Sequence, residues 1–229
     1  MRRATGNVEG AFANLATDLR AAANPAREPK MEAYMKERFM FLGITSPERK
    51  AIQKPFLAAL RRADADDIVA AADLCWAEDA REFQYVGSDL LRARAKQLRA
   101  HDLAHLHRYI TTKSWWDTID ALAAHPVGTL VQRFPALGSS MDTWVRDENI
   151  WVARTAILHQ LRYKESVDQP RLFGYVLARA NDTEFFIRKA LGWALRSYSR
   201  HAPDAVRSFV SDHESALSAL TCREALKHL

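Results

Sequence analysis

Apolar residues along the chain recur at helical spacing, and helix-breaking residues divide them into short segments. After a polar, small-residue leader over residues 1–10, a helix is expected from about Ala11 to Ala23, ended by Asn24-Pro25 and Pro29. Met31, Tyr34, Met35, Phe39 and Phe41 then mark a second helix, with Gly43 placed to stop it. Ser46-Pro47-Glu48 offers an N-cap, a proline at the first helical position and an acid in the first turn. Asp64 to Asp67, Asp102, Asp182 and Pro203 signal further helix starts. No alternating five-residue stretch bounded by turn signals stands out, and neither Asn-Gly nor Asp-Gly occurs. The pattern predicts an all-α protein.

The segments also repeat. Trp115-Trp116-Asp117-Thr118-Ile119-Asp120-Ala121, Ile150-Trp151-Val152-Ala153-Arg154-Thr155-Ala156 and Phe185-Phe186-Ile187-Arg188-Lys189-Ala190-Leu191 start at positions 35 apart. One more step back reaches the segment holding Glu82, Phe83, Gln84 and Tyr85. Large aromatics thus fall at 116, 151 and 186, with small or charged residues at 120, 155 and 190. A period of this length in helical sequence signals an α-α superhelix of stacked helix pairs. The tetratricopeptide pattern is not met in register, so an array of about six HEAT-like pairs is expected over residues 11–229, as one domain. Such an array curves, and its concave face suits a duplex; from the repetition alone a non-catalytic scaffold for another protein is the leading reading.

Composition narrows the choices. With 48% hydrophobic and 27% charged residues the chain matches an ordinary globular protein. Its formal net charge of +5 is compatible with a polyanionic partner. Cys75 and Cys222 stand apart from each other and from any His cluster, which argues against a zinc site and for two reduced thiols. The leader lacks the apolar stretch of a signal peptide, and no apolar run nears the roughly 20 residues of a membrane span. A cytoplasmic protein is expected, without metal or membrane contact.

The segment Thr112-Lys113-Ser114-Trp115-Trp116-Asp117-Thr118-Ile119-Asp120 is the most unusual in the chain. Ser114 is the expected N-cap. Trp116 and Asp120 are four apart and share a helix face, which would set a carboxylate one turn from an indole, a surface suited to a developing cation. A core tryptophan with a structural aspartate fits the same residues. Trp193 and Arg196 are three apart in a helix interrupted by Gly192, where a close approach is expected. That tryptophan is either an aromatic platform beside a phosphate-seeking cation or a groove filler between repeats. Arg154 lies among apolar neighbours, so it captures a phosphate or pairs with an acid such as Asp147 or Glu148. Arg162 and Lys164 follow near the end of the same helix. His101, His105 and His107 lack an HExxH pattern or a carboxylate partner and read as a solvated face. Serine-nucleophile elbows, phosphate-cradling glycine loops and dinucleotide fingerprints are absent, and those enzyme classes drop out.

Six segments in order then carry a resemblance: Met31-Glu32-Ala33-Tyr34-Met35-Lys36, Phe41-Leu42-Gly43-Ile44, Ser46-Pro47-Glu48-Arg49, Thr112 to Asp117, Asp147-Glu148-Asn149-Ile150-Trp151 and Gly192-Trp193-Ala194-Leu195-Arg196. From about residue 10 onward the chain resembles the AlkD family of DNA alkylation repair enzymes. The resemblance implies a HEAT-like-repeat DNA glycosylase that removes positively charged N3- and N7-alkylated purines from duplex DNA, with no cofactor and no deep base pocket. Nothing in the sequence flanks Lys113 to activate it for a Schiff base, so a hydrolase without lyase activity is expected. It places the catalytic aspartate on Asp120, the sugar-contacting tryptophans on Trp116 and Trp193, and the arginine near the lesion backbone on Arg154. DNA contacts are implied at Tyr34, Thr45, Ser46, Lys50, Lys113, Arg162 and Arg196. Inactive relatives in the wider family lack the aspartate and tryptophan at these places, and both are present here; Thr45-Ser46 departs from the family pattern in the turn after Gly43-Ile44. One concave face that clasps a duplex needs no second copy, so a monomer is expected. The alternatives are a catalytically inactive DNA-binding module and a protein scaffold.

Overall fold

In the computed structural model the structure describes residues 5–229, and residues 1–4 of the expected leader lie outside them. Every regular element among the described residues is helical. The chain forms two compact units, Met1–Asp102 and Leu103–Leu229.

The first unit holds α1 (Thr5–Ala21), α2 (Glu28–Tyr34), α3 (Ser46–Ile52), α4 (Lys54–Ala59), α5 (Ala65–Ala77) and α6 (Arg81–Ala93). Helix α1 starts at Thr5, six residues before the position expected from the apolar pattern. Asp64 caps α5 as the sequence suggests, its carboxylate accepting from Asp67 N–H at 2.9 Å. Helix α6 rests close against α5, because a Cβ on Gly87 would lie 2.6 Å from the Trp76 ring.

The second expected helix departs from the pattern. Helix α2 ends at Tyr34, and the chain reverses through Lys36 and Glu37, both left-handed at φ 59° and 54°. Phe39 and Phe41 are therefore not on α2. The Phe39 ring packs 3.8 Å from the buried Arg81 guanidinium, and the buried Glu82 carboxylate accepts from Leu42 and Ile44 N–H at 3.0 and 3.2 Å. Gly43 does not end a helix. At φ 71° its α-carbon lies so close to Asn24 that a Cβ would sit 2.1 Å from the Asn24 carbonyl oxygen. The cap of α3 is Thr45 rather than Ser46, with the Glu48 carboxylate accepting from Thr45 N–H and Oγ1 at 2.9 and 2.7 Å.

The second unit holds α7 (Leu103–Thr111), α8 (Trp116–Leu122), α9 (Gly128–Arg133), α10 (Gly138–Trp144), α11 (Ile150–Leu158), α12 (Gln169–Ala178), α13 (Phe185–Ser199), α14 (Pro203–Asp212) and α15 (Ala219–Ala225). The 35-residue period is visible directly: α11 and α13 start at Ile150 and Phe185, and α8 at Trp116. Helices α8, α11, α13 and α15 pack in series, each with a partner from α7, α10, α12 and α14. Their shared core is small and aliphatic, including Ile119, Leu122, Val152, Ala153, Ala156, Ile187, Ala190 and Leu191. Asn149 and Asp168 cap α11 and α12 through Trp151 N–H and Arg171 N–H. Ser114 is not the cap of α8. Its hydroxyl donates to the Ile110 carbonyl at 2.6 Å and the cap position falls to Trp115. Trp115, not Trp116, joins Trp151 and Phe186 in a three-ring cluster with centroids 5.1–5.4 Å apart.

Candidate functional site

Beside the buried Trp115, Trp116 is only half-buried. The aligned starts of α8, α11 and α13 leave an open cleft of about 400 Å³ inside the second unit. Helix α8 gives it Trp116 and Asp120, α11 gives Arg154, and α13 gives Phe185, Phe186, Lys189, Trp193 and Arg196. Asp120 sits one turn after Trp116, as their spacing requires. The cleft therefore combines four aromatic rings, three cations and one carboxylate.

Arg154 is buried and holds Asp120 with a two-pronged grip, Nε to Oδ1 at 2.8 Å and Nη2 to Oδ2 at 2.9 Å. Its remaining nitrogen, Nη1, donates to the Phe186 carbonyl. The partner is thus an acid 34 residues away on the preceding repeat, and neither Asp147 nor Glu148 is used. The Asp120 side chain keeps 19% exposure, against 4% for Arg154. Burial pushes the Asp120 carboxyl above the usual carboxylate range, Asp117 adds to that rise, and Arg154 opposes it.

On the other wall, Lys189 and Arg196 both bind Glu224 of α15, Lys189 at 2.5 Å. Those two cations hold the Glu224 carboxyl down at about 2. Arg196 is thereby engaged with an acid instead of standing free on the Trp193 face. The expectation of a close approach at Gly192 is met, since a Cβ there would lie 2.4 Å from Glu224 Cβ and 2.8 Å from the Thr221 carbonyl oxygen.

Of the residues singled out in the sequence, the cleft brings together Trp116, Asp120, Arg154, Trp193 and Arg196. Lys113 belongs to the same unit, in a left-handed turn between α7 and α8 at φ 52°, and does not line the cleft. Arg162 and Lys164 lie beyond the end of α11 at Leu158, with Arg162 exposed in the following turn. Tyr34, Thr45, Ser46 and Lys50 belong to the first unit, where Tyr34 is 70% exposed and Ser46 and Lys50 are exposed on α3. Phe185, Phe186 and Lys189 also line the cleft, beyond the residues the sequence motifs point to. Their signal was the repeat register, for they stand 35 positions after Ile150, Trp151 and Arg154.

Among the described residues no group of three or more His, Cys, Asp or Glu is placed to hold a metal ion. No described helix is long and apolar enough to cross a membrane.

The model of the DNA alkylation repair enzyme family matches residues 15–229. A solved structure described as a predicted DNA alkylation repair enzyme from Enterococcus faecalis is similar at 32% identity and a TM-score of 0.83, over 90% of this chain and 96% of that one. The smu.31 protein of Streptococcus mutans shares the fold at 16% identity and a TM-score of 0.61, over 76% of this chain and 89% of that one. No curated protein matches the sequence significantly.

Proposed function

The chain belongs to the DNA alkylation repair enzyme family, and from that premise we propose that it is a DNA glycosylase acting on alkylated purines in duplex DNA. The reading rests on one observation: Asp120 lies in a cleft with Trp116 and Trp193, its carboxylate fixed by Arg154.

A purine alkylated at N3 or N7 is positively charged and leaves without protonation. Breaking its C1′–N bond sends the bonding electrons to the base, which departs neutral, and moves the positive charge onto the sugar. A fixed carboxylate beside that sugar stabilises the charge as it forms. Indole faces add cation–π attraction of about 0.5–2 kcal/mol each. Water then bonds to C1′ and loses its proton to solvent, leaving an abasic site and no enzyme-bound intermediate. Arg154 orients Asp120 and opposes the rise that burial imposes on its carboxyl. The substrate is a cationic lesion in double-stranded DNA, bound by a monomer without cofactor.

The test is release of 3-methyladenine and 7-methylguanine from methylated duplex DNA by the purified protein, beside Asp120→Asn. One observation favours a second reading, a duplex-binding protein without catalysis: both oxygens of Asp120 are already engaged by Arg154. No base release, together with salt-sensitive duplex affinity, selects that second reading. Absent duplex affinity selects a protein scaffold.

A further inference from the structure

The cleft lining holds three cations, Arg154, Lys189 and Arg196, and a single carboxylate, Asp120. Arg154 accounts for Asp120. The other two cations are held from behind the wall by Glu224, whose side chain is only 10% exposed. Helix α15 is tied to α13 at this point by two further contacts. Thr221 Oγ1 donates to the Arg188 carbonyl at 3.2 Å, one residue before Lys189, and Gly192 permits an approach no side chain would allow.

We propose that Glu224 is a positioning residue that keeps Lys189 and Arg196 away from Asp120, so that the carboxylate's charge faces the substrate cation. The proposal rests on the glycosylase reading for its kinetic consequence alone. Electrostatics gives the reason. A mobile ammonium in a cleft with one acid moves toward that acid, because opposite charges attract more strongly in a partly dry site than in water. Lys189 keeps a long flexible stem and 40% exposure, so it is free to swing once Glu224 is neutral. Its approach to Asp120 would cancel the charge that stabilises the sugar. A freed lysine or arginine would also meet the phosphates of a bound duplex. Loss of Glu224 should therefore weaken catalysis and strengthen salt-dependent binding, whereas simple loosening of α15 would weaken both.

The test compares wild type with Glu224→Gln, Glu224→Asp and the double variant Glu224→Gln/Lys189→Met. Single-turnover release of 7-methylguanine is expected to slow about tenfold in Glu224→Gln, stay near wild type in Glu224→Asp, and recover most of its rate in the double variant. The log–log salt slope of duplex binding should steepen by about 1 in Glu224→Gln. Without DNA, acetic anhydride should modify Lys189 about threefold faster in Glu224→Gln, read by mass spectrometry. A folded Glu224→Gln with unchanged release, salt slope and labelling overturns the proposal, as does a rate loss that Lys189→Met fails to restore. Should wild type release no base, the glycosylase reading falls by itself. Labelling and salt slope then still judge Glu224, and wild-type values in both overturn its role.

Discussion

Arg154 reaches both carboxylate oxygens of Asp120, at 2.8 and 2.9 Å, from a helix 34 residues further along the chain. The 35-residue repeat is what makes this contact: equivalent positions on adjacent helices come side by side, so charges in register become partners. Arg154, Lys189 and Glu224 stand 35 positions apart, and Asp120 lies one residue off that register, with ion pairs between Asp120 and Arg154 and between Lys189 and Glu224. The second unit thus builds its polar site from the same periodicity that builds its core.

Asp120→Asn should keep the shape of the cleft and lose the charge. Base release is expected to fall by about 10²–10³, the usual cost of removing a preorganised electrostatic group, while duplex binding changes little. The variant should also be less stable by about 1–3 kcal/mol, because the buried Arg154 loses its counter-ion. Single-turnover kinetics beside urea unfolding separates the two effects; wild-type release rates in a folded variant would remove Asp120 from the mechanism.

The release rate should have an acid limb set by Asp120. Its burial raises the carboxyl above the usual value of 3.8, and only the ionised form stabilises a cation. Release therefore falls as pH drops through a midpoint higher than that of an exposed aspartate. A pH–rate profile from 4 to 8 checks this, and the limb should disappear in Asp120→Asn.

Gly192→Ala tests the contact between α13 and α15. The new Cβ would meet Glu224 Cβ at 2.4 Å and the Thr221 carbonyl oxygen at 2.8 Å, so the two helices must separate. Overpacking of this kind costs about 1–3 kcal/mol, or several degrees in Tm for a chain of this size. Thermal unfolding measures it, and an unchanged Tm would mean the helices part freely.

Local signals in the sequence carried much of the fold. Asp64, a single capping side chain, marks its helix start without outside help. The miss at α2 has a non-local cause: apolar spacing continues past Tyr34, but Arg81 and Glu82 draw residues 39–44 into a separate path. Nothing in Lys36 or Glu37 announces a left-handed reversal. At the cleft, Trp116 and Asp120 were legible because four-residue spacing fixes a shared face. Arg154 has the acids Asp147 and Glu148 nearby in sequence, yet repeat geometry supplies its partner from the previous helix. Glu224 carried no local signal, since its role comes only from two cations on a neighbouring helix.

His159 should make the protein less stable in mild acid. Its ring is buried between Tyr163 and Tyr175, and burial pushes its pKa down from 6.5 to about 4, with Arg171 lowering it further and Asp142 and Asp168 opposing. The unfolded chain therefore binds a proton between pH 6.5 and 4 that the folded one refuses. Stability is full above 6.5 and declines as pH falls through this window, by roughly 3 kcal/mol in all. The depressed carboxyl of Glu224 adds its own loss only lower, from 4.5 towards about 2. Urea unfolding at pH 7, 5.5 and 4.5 should show the decline, with a flatter dependence in His159→Phe.

Trp193→Ala separates a sugar-facing indole from a groove filler. Trp193 lines the cleft with Trp116 and Asp120 while its neighbours Gly192 and Ala194 are buried in the α13 packing. If its ring stabilises positive charge on the sugar, truncation removes about 0.5–2 kcal/mol of cation–π attraction, which is roughly 2- to 30-fold in affinity. That loss should appear on duplex carrying a cationic abasic-site mimic and be small on undamaged duplex, which presents no cation to the cleft. Fluorescence anisotropy on both duplexes gives the two affinities. A purely structural tryptophan would loosen α13 and weaken both alike, so an equal loss on the two duplexes rules out the sugar-facing role.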